Sequence, residues 1–328
     1  MNVKDSLLNT LAAAQDEYIS GAALAEKLGV SRNAVWKAVK SLQSDGYAIE
    51  SVTSKGYRLA HDNNRLSAEL IAPMLTTRAL GKDIKVFSEL DSTNIMAKEL
   101  ASAGAPHGTV VAADMQTAGR GRLGRNFVSP AGSGLYMSII VRPGFDLEIS
   151  SMMTAAAAVA VAEAVEKLSS HDVMIKWVND PYMNGKKICG ILTEASLGME
   201  MRSLDFAVIG IGINVRSMKN IIDTELAKIA TSIEDETGLI IDRNQLCAEV
   251  LAKLEYYLDT LPERTFLHEY RRREFLTGHE ITANIGNSNV SGKALGIDDN
   301  ANLIFQDSSG NILHLSSGEA NLCRIKYD

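Results

Sequence analysis

Between Thr117 and Pro130 the chain reads TAGRGRLGRNFVSP. This places Arg120, Arg122 and Arg125 close together and separates them with Gly119, Gly121 and Gly124. Guanidinium groups bind carboxylate or phosphate through paired hydrogen bonds and stay charged at any working pH. Glycines permit positive φ, so successive backbone N–H groups can converge on one anion. The chemistry this pattern suits is the capture of a phosphate or carboxylate. Three arginines this close repel one another, which predicts a loop that is mobile until an anion neutralises it. The plain alternative is a solvated surface loop. GRGRLG also matches G-x-G-x-x-G formally. The downstream segment, RNFVSPAGSGLYMSIIVRP, reads as loop and then strand, not as the helix a dinucleotide site needs. The lysine, H-R-D and D-F-G partners of a kinase glycine loop are also missing.

Four further polar clusters lie along the chain. ELDSTN (89–94) comes after an expected strand at 85–88. Asp91 and Ser92 there either cap the next helix or touch a ligand. IKWVND (175–180) puts Lys176 and Asp180 at a strand end. Asp180 can hold Mg²⁺ through water or orient a lysine, or the two can simply pair with each other. NGKKICGIL (184–192) leads Lys187 through a turn into an apolar strand. A lysine at such an edge is usually a snorkelling surface residue, but the Cys189-Gly190 sequel suggests close approach to the backbone. GIGINV (210–215) is a glycine-marked strand ending in Asn214, which either caps a turn or meets a ligand.

These clusters need elements to hold them, and the chain reads as three parts. In residues 1–62, SGAALAEKLG and VSRNAVWKAVKSLQSDG are two short helices, with Ser20 and Ser31 placed to cap them. Val35, Val39 and Leu42 form a buried stripe on the second helix. Arg32, Asn33, Trp36, Lys37 and Lys40 lie on other faces. YAIESVTSKGYRLA alternates about a turn at Ser54–Gly56, a β-hairpin with Lys55 at its tip. Helix, turn, basic helix and hairpin make a winged helix-turn-helix. Ser31, Arg32, Asn33, Trp36, Lys37, Lys40 and Lys55 are its candidate DNA contacts. The alternative is a solvated basic helix in a small helical domain.

The middle part, 65–275, alternates strands (109–113, 135–141, 173–177, 187–193, 206–214) with helices at 151–168, 242–260 and 262–275, a mixed α/β domain. The Ala-rich helix at 151–168 is apolar on most sides and therefore expected to be buried. The last part, 277–328, carries turn signals between short β-prone runs and predicts a small all-β barrel.

The 328 residues are 46% hydrophobic and 22% charged, enough for two or three cored domains. The net charge of −7 marks no polyanion binder overall, yet residues 31–60 carry five basic side chains against two acidic ones. The three cysteines, Cys189, Cys247 and Cys323, lack C-x-x-C spacing, which argues for reduced thiols rather than disulfides or zinc. The N-terminus lacks the apolar core of a signal peptide, and the most apolar run, 152–165, is too short to span a bilayer. A cytoplasmic protein is the resulting expectation.

DSTN, QTAGRGRLGRNFVSP, KWVND, GKKICGIL, GIGINV and SSGE occur in this order, and in that order they resemble the biotin–protein ligases. With the winged helix in front, the chain is similar to their bifunctional bacterial class, which also represses biotin genes. The resemblance covers essentially the whole chain. It implies a catalytic domain related to class II aminoacyl-tRNA synthetases and an SH3-like C-terminal β domain, in an α+β multidomain protein. It implies a ligase that uses MgATP to make biotinyl-5′-AMP and passes biotin to a lysine of a biotin carboxyl carrier protein. It also implies operator binding with that adenylate as corepressor, as a homodimer.

The same resemblance implies residue roles. Ser92, Thr93, Asn94, Gln116 and Gly190 would line the biotin ring site. Gly119, Arg120, Gly121 and Arg122 would close over the carboxylate and phosphates, with Lys187. Arg125, Phe127, Asn179 and Asn214, together with Arg120, would serve ATP and the adenylate. Lys187, Arg122, Lys176 and Asp180 would form the catalytic set, with Asp180 on the metal side.

The chain departs from the pattern twice. Val178 stands where the family usually has proline, which predicts a less rigid turn. Phe127 stands where it often has tryptophan against adenine, which predicts weaker ATP contact. The competing readings are a biotin-sensing DNA-binding regulator without ligase activity and a lipoate-type ligase. The first leaves Lys187, Arg120, Arg122 and Asp180 unexplained, and the second the GRGRLGR spacing.

Overall fold

The structure is a computed structural model that describes residues 2–14, 17–60, 65–144, 147–197, 204–219, 221–285 and 288–322. Cys323 and residues 61–64 of the expected interdomain break lie outside these. The chain forms two compact units, Met1–Thr76 with Asp242–Ala248, and Thr77–Ile241 with Glu249–Asp328.

The first unit holds helices α1 (Val3–Ala13), α2 (Gly21–Leu28) and α3 (Arg32–Ser44), the hairpin β1 (Ile49–Val52) and β2 (Gly56–Leu59), and the short α4 (Ala68–Ile71). Ser20 and Ser31 accept from Ala23 N and Ala34 N, so both expected caps form, and Gly29 ends α2 with a left-handed φ of 63°. The stripe of Val35, Val39 and Leu42 packs against Leu7, Leu8, Leu11 and Leu24. The opposite side of α3 stays open to solvent. Ser31, Arg32, Asn33, Trp36, Lys37 and Lys40 are all exposed, as is Lys55 at the hairpin turn. The sequence places the start of the middle part at 65, but Leu70 of α4 packs into this first core. Asn244 fastens the same segment, accepting from Ser67 N at 3.0 Å and donating to Arg65 O at 2.9 Å.

The second unit is built on β3 (Ile84–Leu90), β4 (Val110–Gln116) and β5 (Gly134–Val141), with α5 (Thr93–Ser102) between the first two. The helices α6 (Leu147–Ser150) and α7 (Met153–Ser169) come after β5. Next are β6 (Met174–Lys176), β7 (Asp180–Met183), β8 (Lys186–Lys187), β9 (Cys189–Leu197) and β10 (Leu204–Asn214). The main sheet runs β3-β4-β5-β10-β9, with β3 and β4 parallel and the other pairs antiparallel. Helix α5 lays Ala97 and Ala101 on it against Val111, Ile140 and Val208. The Ala-rich α7 is buried along most of its length, as its composition predicts.

A single strand was expected at 187–193, but the chain changes partner there. β8 belongs to the small sheet β6-β7-β8 and β9 to the main one. Ile188 makes the transfer, its N–H donating to Pro181 O at 3.0 Å and its carbonyl accepting from Asn214 N at 2.8 Å.

The helices α8 (Leu226–Ile229), α9 (Ile233–Thr237), α10 (Arg243–Asp259) and α11 (Phe266–Arg273) complete the α/β part. The expected helix at 262–275 starts late because Arg264 adopts a left-handed φ of 56°. After them β11 (Glu280–Ile285), β12 (Ser288–Ile297), β13 (Leu303–Asp307), β14 (Ile312–Leu315) and β15 (Ala320–Leu322) form one antiparallel sheet. Its order is β14-β13-β12-β11-β15, so the turns after β12, β13 and β14 fall where expected, residues 286–287 of IGNSN lie outside the described residues, and β14 and β15 form its two ends. This sheet is fastened to the α/β part of its unit. Trp177 Nε1 donates to Ala301 O at 3.2 Å and Arg271 Nε to Ile297 O at 3.0 Å. No helix among the described residues is long and apolar enough to cross a membrane.

Candidate functional site

Strands β4, β7, β8, β9 and β10, the start of α5, the arginine-glycine loop and the β14–β15 connection surround a cavity of about 430 Å³ in the second unit. One corner of it is neutral and polar. Thr93 donates its backbone N–H and its hydroxyl to Gln116 Oε1 at 2.9 and 3.1 Å. Gln116 Nε2 donates to Ser129 Oγ at 2.9 Å. Ser138 Oγ lies 2.8 Å from Thr93 Oγ1 and 2.6 Å from Asn94 Oδ1. The capping alternative for Asp91 and Ser92 is not realised. Ser92 holds the N-cap position of α5 with no side-chain cap bond, and Asp91 accepts from Thr117 Oγ1 at 2.8 Å. Ser92 and Asn94 are buried yet line the cavity.

The floor is glycine. Gly210 and Gly212 are alternate residues of β10, so they share a face. A Cβ on Gly210 would lie 2.0 Å from Asn94 Oδ1, and one on Gly212 would lie 2.6 Å from the Phe127 ring. The Phe127 ring also lies over Gly190 and meets Tyr136 edge-on, with centroids 6.3 Å apart.

The loop itself is folded rather than open. Gln116 N donates to Ser129 O at 3.0 Å, Phe127 N to Gly119 O at 2.9 Å, and Gly121 N to Arg125 O at 2.7 Å. It closes into a narrow hairpin with a 3₁₀ turn at Arg122–Gly124. Gly119 does not line the cavity. It lies beneath the hairpin, where a Cβ would meet Phe127 O at 2.3 Å. Gly121, Arg120, Arg122 and Arg125 do line it. Arg122 donates to Asn179 Oδ1 at 3.2 Å, and Asn179 in turn donates to Ile191 O. Arg125 makes a two-bond pair with Glu319, at 3.1 and 2.6 Å. That bond holds the Glu319 carboxyl below the ordinary range, against the opposing effect of its partial burial.

At the cationic end Asp180 does not pair with Lys176, although the two are register partners across β6 and β7. The neighbouring β8 brings Lys187 in instead, and its Nζ donates to Asp180 Oδ1 at 2.6 Å. Lys176 Nζ turns to Asn321 Oδ1, at 2.6 Å. Burial lowers the Lys176 ammonium's pKa from the ordinary lysine value, more than the nearby Asp180 and Glu319 raise it. Tyr182 is pushed up to about 12 by burial and by the Asp180 charge. Asn214 donates its Nδ2 to Thr231 O at 2.9 Å. Its Oδ1 is buried and without a hydrogen-bond partner among the described residues. The Trp177–Val178 peptide is cis, and the Val178 carbonyl accepts from Tyr270 Oη at 2.9 Å.

Sequence reading missed Ser138, Glu194, Glu319 and Asn321, and the apolar wall of Met218, Leu226 and Ile229. Only Gly210 and Gly212 carried a signal, as glycines two apart in an apolar strand. The arrangement can hold a small neutral ring in one corner and two anions beside it, with Arg and Lys donors fixed around them.

Known proteins match both units of the chain. The biotin/lipoate A/B protein ligase family matches residues 86–214, and an HTH domain matches residues 4–58. The chain is 38% identical over 314 residues to the bifunctional ligase/repressor BirA of Bacillus subtilis, covering 94% of this chain and 95% of that protein. It is 30% identical over 318 residues to the Escherichia coli protein of the same name, covering 94% of each. Among solved structures, the biotin protein ligase from Aquifex aeolicus in complex with biotin and ATP matches with a TM-score of 0.63 and 30% identity. That match covers 74% of this chain and 99% of the other.

Proposed function

The chain belongs to the biotin/lipoate A/B protein ligase family, alongside its bifunctional ligase/repressors, and from that premise we propose that its cavity joins biotin to ATP and passes biotin to a carrier-protein lysine. The observation that carries the reading is one cavity lined by Ser92, Thr93, Asn94 and Gln116 at one end and by Arg122, Lys176 and Lys187 at the other, with Arg120 also in its lining. The neutral end suits the ureido ring of biotin. The cationic end suits two anions that must meet, the valeryl carboxylate and the ATP α-phosphate.

In the first step a carboxylate oxygen attacks the α-phosphorus and pyrophosphate leaves, giving biotinyl-5′-AMP. Charge grows on the α-phosphate oxygens as this happens. Donors already in place, Lys187 on its Asp180 anchor and Arg122 on its Asn179 anchor, are each typically worth about 3–4 kcal/mol. Such chemistry asks the protein mainly for position and charge. In the second step the ε-amine of the carrier lysine attacks the acyl carbonyl and AMP leaves. The hairpin of Gly119, Gly121 and the three arginines covers the mixed anhydride and keeps water from it.

Asn214 offers its free Oδ1 to an adenylate hydroxyl or amino group. Phe127 offers a ring face to adenine and Arg125 a cation to the phosphates. Gly190, like Gly212, lets the Phe127 ring rest on the sheet, and that ring then borders the space left for biotin. Asp180 is a hard oxygen donor beside the phosphate end, which fits Mg²⁺ bound by one protein carboxylate, waters and the substrate's own oxygens. The ion, when bound, neutralises phosphate charge.

The exposed face of Ser31, Arg32, Asn33, Trp36, Lys37, Lys40 and Lys55 suits the major groove and phosphates of an operator. The adenylate-bound protein represses biotin genes as a homodimer on a palindromic site, and both activities belong to the cytoplasm. The test is pyrophosphate exchange into ATP with biotin, with lipoate, or with no acid. Exchange that depends on biotin alone is expected, and exchange driven by lipoate or absent with biotin overturns the ligase reading. A gel shift on the biotin promoter that is strengthened by biotin with ATP is expected, and no shift under any condition overturns the repressor half.

A further inference from the structure

Behind the neutral corner, and outside the cavity lining, stands a charged pair that the ligase reaction does not use. Glu194 of β9 accepts from Lys98 Nζ of α5 at 2.7 Å through Oε1. Through Oε2 it accepts from Asn94 Nδ2 at 2.9 Å. The second N–H of that amide goes to Leu192 O, at 3.3 Å. A carboxylate and a backbone carbonyl can only accept, so the amide has one possible orientation. Its nitrogen faces β9 and its oxygen faces Ser138 Oγ, at 2.6 Å. Gly210 leaves room for this, since any Cβ there would strike the amide oxygen at 2.0 Å. Both N–H donors of Asn94 are spent inside the protein, and only oxygen lone-pair capacity remains.

We propose that Glu194 is the positioning residue that makes Asn94 an acceptor, and so makes the corner select ligands carrying a ring N–H. The inference rests on the ligase reading and names what sets its choice of acid. A cyclic urea presents two N–H donors and gains from an Asn94 amide that can only accept. A dithiolane or a plain alkyl chain presents none and gains nothing, while an amide free to turn would discriminate less. Lys98 holds the carboxylate from its far side, which leaves Oε2 for the amide. Glu194 touches no substrate and acts through Asn94.

The experiment measures pyrophosphate exchange by the full chain, with KM for biotin and for ATP and kcat determined separately, in wild type, Glu194→Ala, Glu194→Gln and Lys98→Ala. Glu194→Ala is expected to raise the biotin KM about tenfold, a difference of roughly 1.4 kcal/mol, with ATP KM and kcat within about twofold of wild type. It is also expected to narrow the preference for biotin over octanoate. Glu194→Gln can still accept from Asn94 through its amide oxygen and is expected to restore the biotin KM to within about threefold. Lys98→Ala is expected to lie between the two.

If Glu194→Ala does not melt cooperatively, Glu194→Met takes its place, since it keeps the length but accepts nothing. A biotin KM unchanged in the accepting-dead variant overturns the proposal. So does an equal loss in Glu194→Gln, and so does an equal rise of both KM values. Wild type without biotin-dependent exchange overturns the ligase reading itself. An active wild type with an indifferent Glu194 overturns only this inference.

Discussion

Gly210 shows how little space separates a working corner from a blocked one. Its missing Cβ would overlap the Asn94 oxygen, and that amide is already held from three sides. Gly210→Ala is therefore expected to displace Asn94 and raise the biotin KM by at least tenfold. Overpacking of this kind costs about 1–3 kcal/mol of stability, so the variant is also expected to melt lower while remaining folded. Measurement of biotin KM together with a melting curve checks both, and an unchanged KM refutes the crowding. The same locality decides which residues could be read from sequence. Glycines, arginines and lysines announced themselves by type and by neighbours. Glu194 did not, because its partner Asn94 lies 100 residues away and nothing near Glu194 marks it. Glu319 meets Arg125 across 194 positions, so SSGE carried no visible role until β11–β15 were folded against the α/β part.

Elements whose ends are chemically marked were the easiest to place. The serine caps and αL glycine of α2 and α3 are local events, written within a few residues. The limits of α11 were less visible, because a non-glycine residue, Arg264, takes the left-handed turn before it. The division between β8 and β9 depends on which strand Ile188 meets, which is a tertiary fact. Helix α11 also carries a titratable anchor. The Arg273 guanidinium beside Glu269 holds its carboxyl down at about 2, outweighing burial, with Arg272 helping.

A depressed carboxylate stabilises the fold above its unfolded value, near 4.3, and loses that contribution as pH falls toward the folded value. The melting temperature of the wild type is expected to drop across that acid window. Glu269→Gln is expected to melt lower than wild type at pH 7 and to converge with it near pH 2. Parallel curves for the two proteins throughout the window would contradict the assignment.

Taken whole, the chain devotes separate units to separate polyanions. The second unit sets Arg120, Arg122, Arg125, Lys176 and Lys187 around one cavity, and the first spreads cations over the open side of α3 and the hairpin tip. Spread lysines meet phosphates without reading bases. Lys37→Ala and Lys40→Ala are each expected to weaken operator and non-operator DNA alike and to reduce the slope of log affinity against log salt by about one. Filter binding over a salt series measures this, and an unaltered slope removes the lysine from the contact set. Asn244 reaches back 177 positions to Ser67, a tie that no local stretch of sequence displays.

The cavity also has an order in time, set by its most distant contributors. Ser92 to Gln116 come early in the second unit, whereas Glu319 and Asn321 are among the last described residues of the chain. A chain still on the ribosome can build the neutral corner but not the partners of Arg125 and Lys176. Substrate therefore meets a finished site only after translation has passed β15.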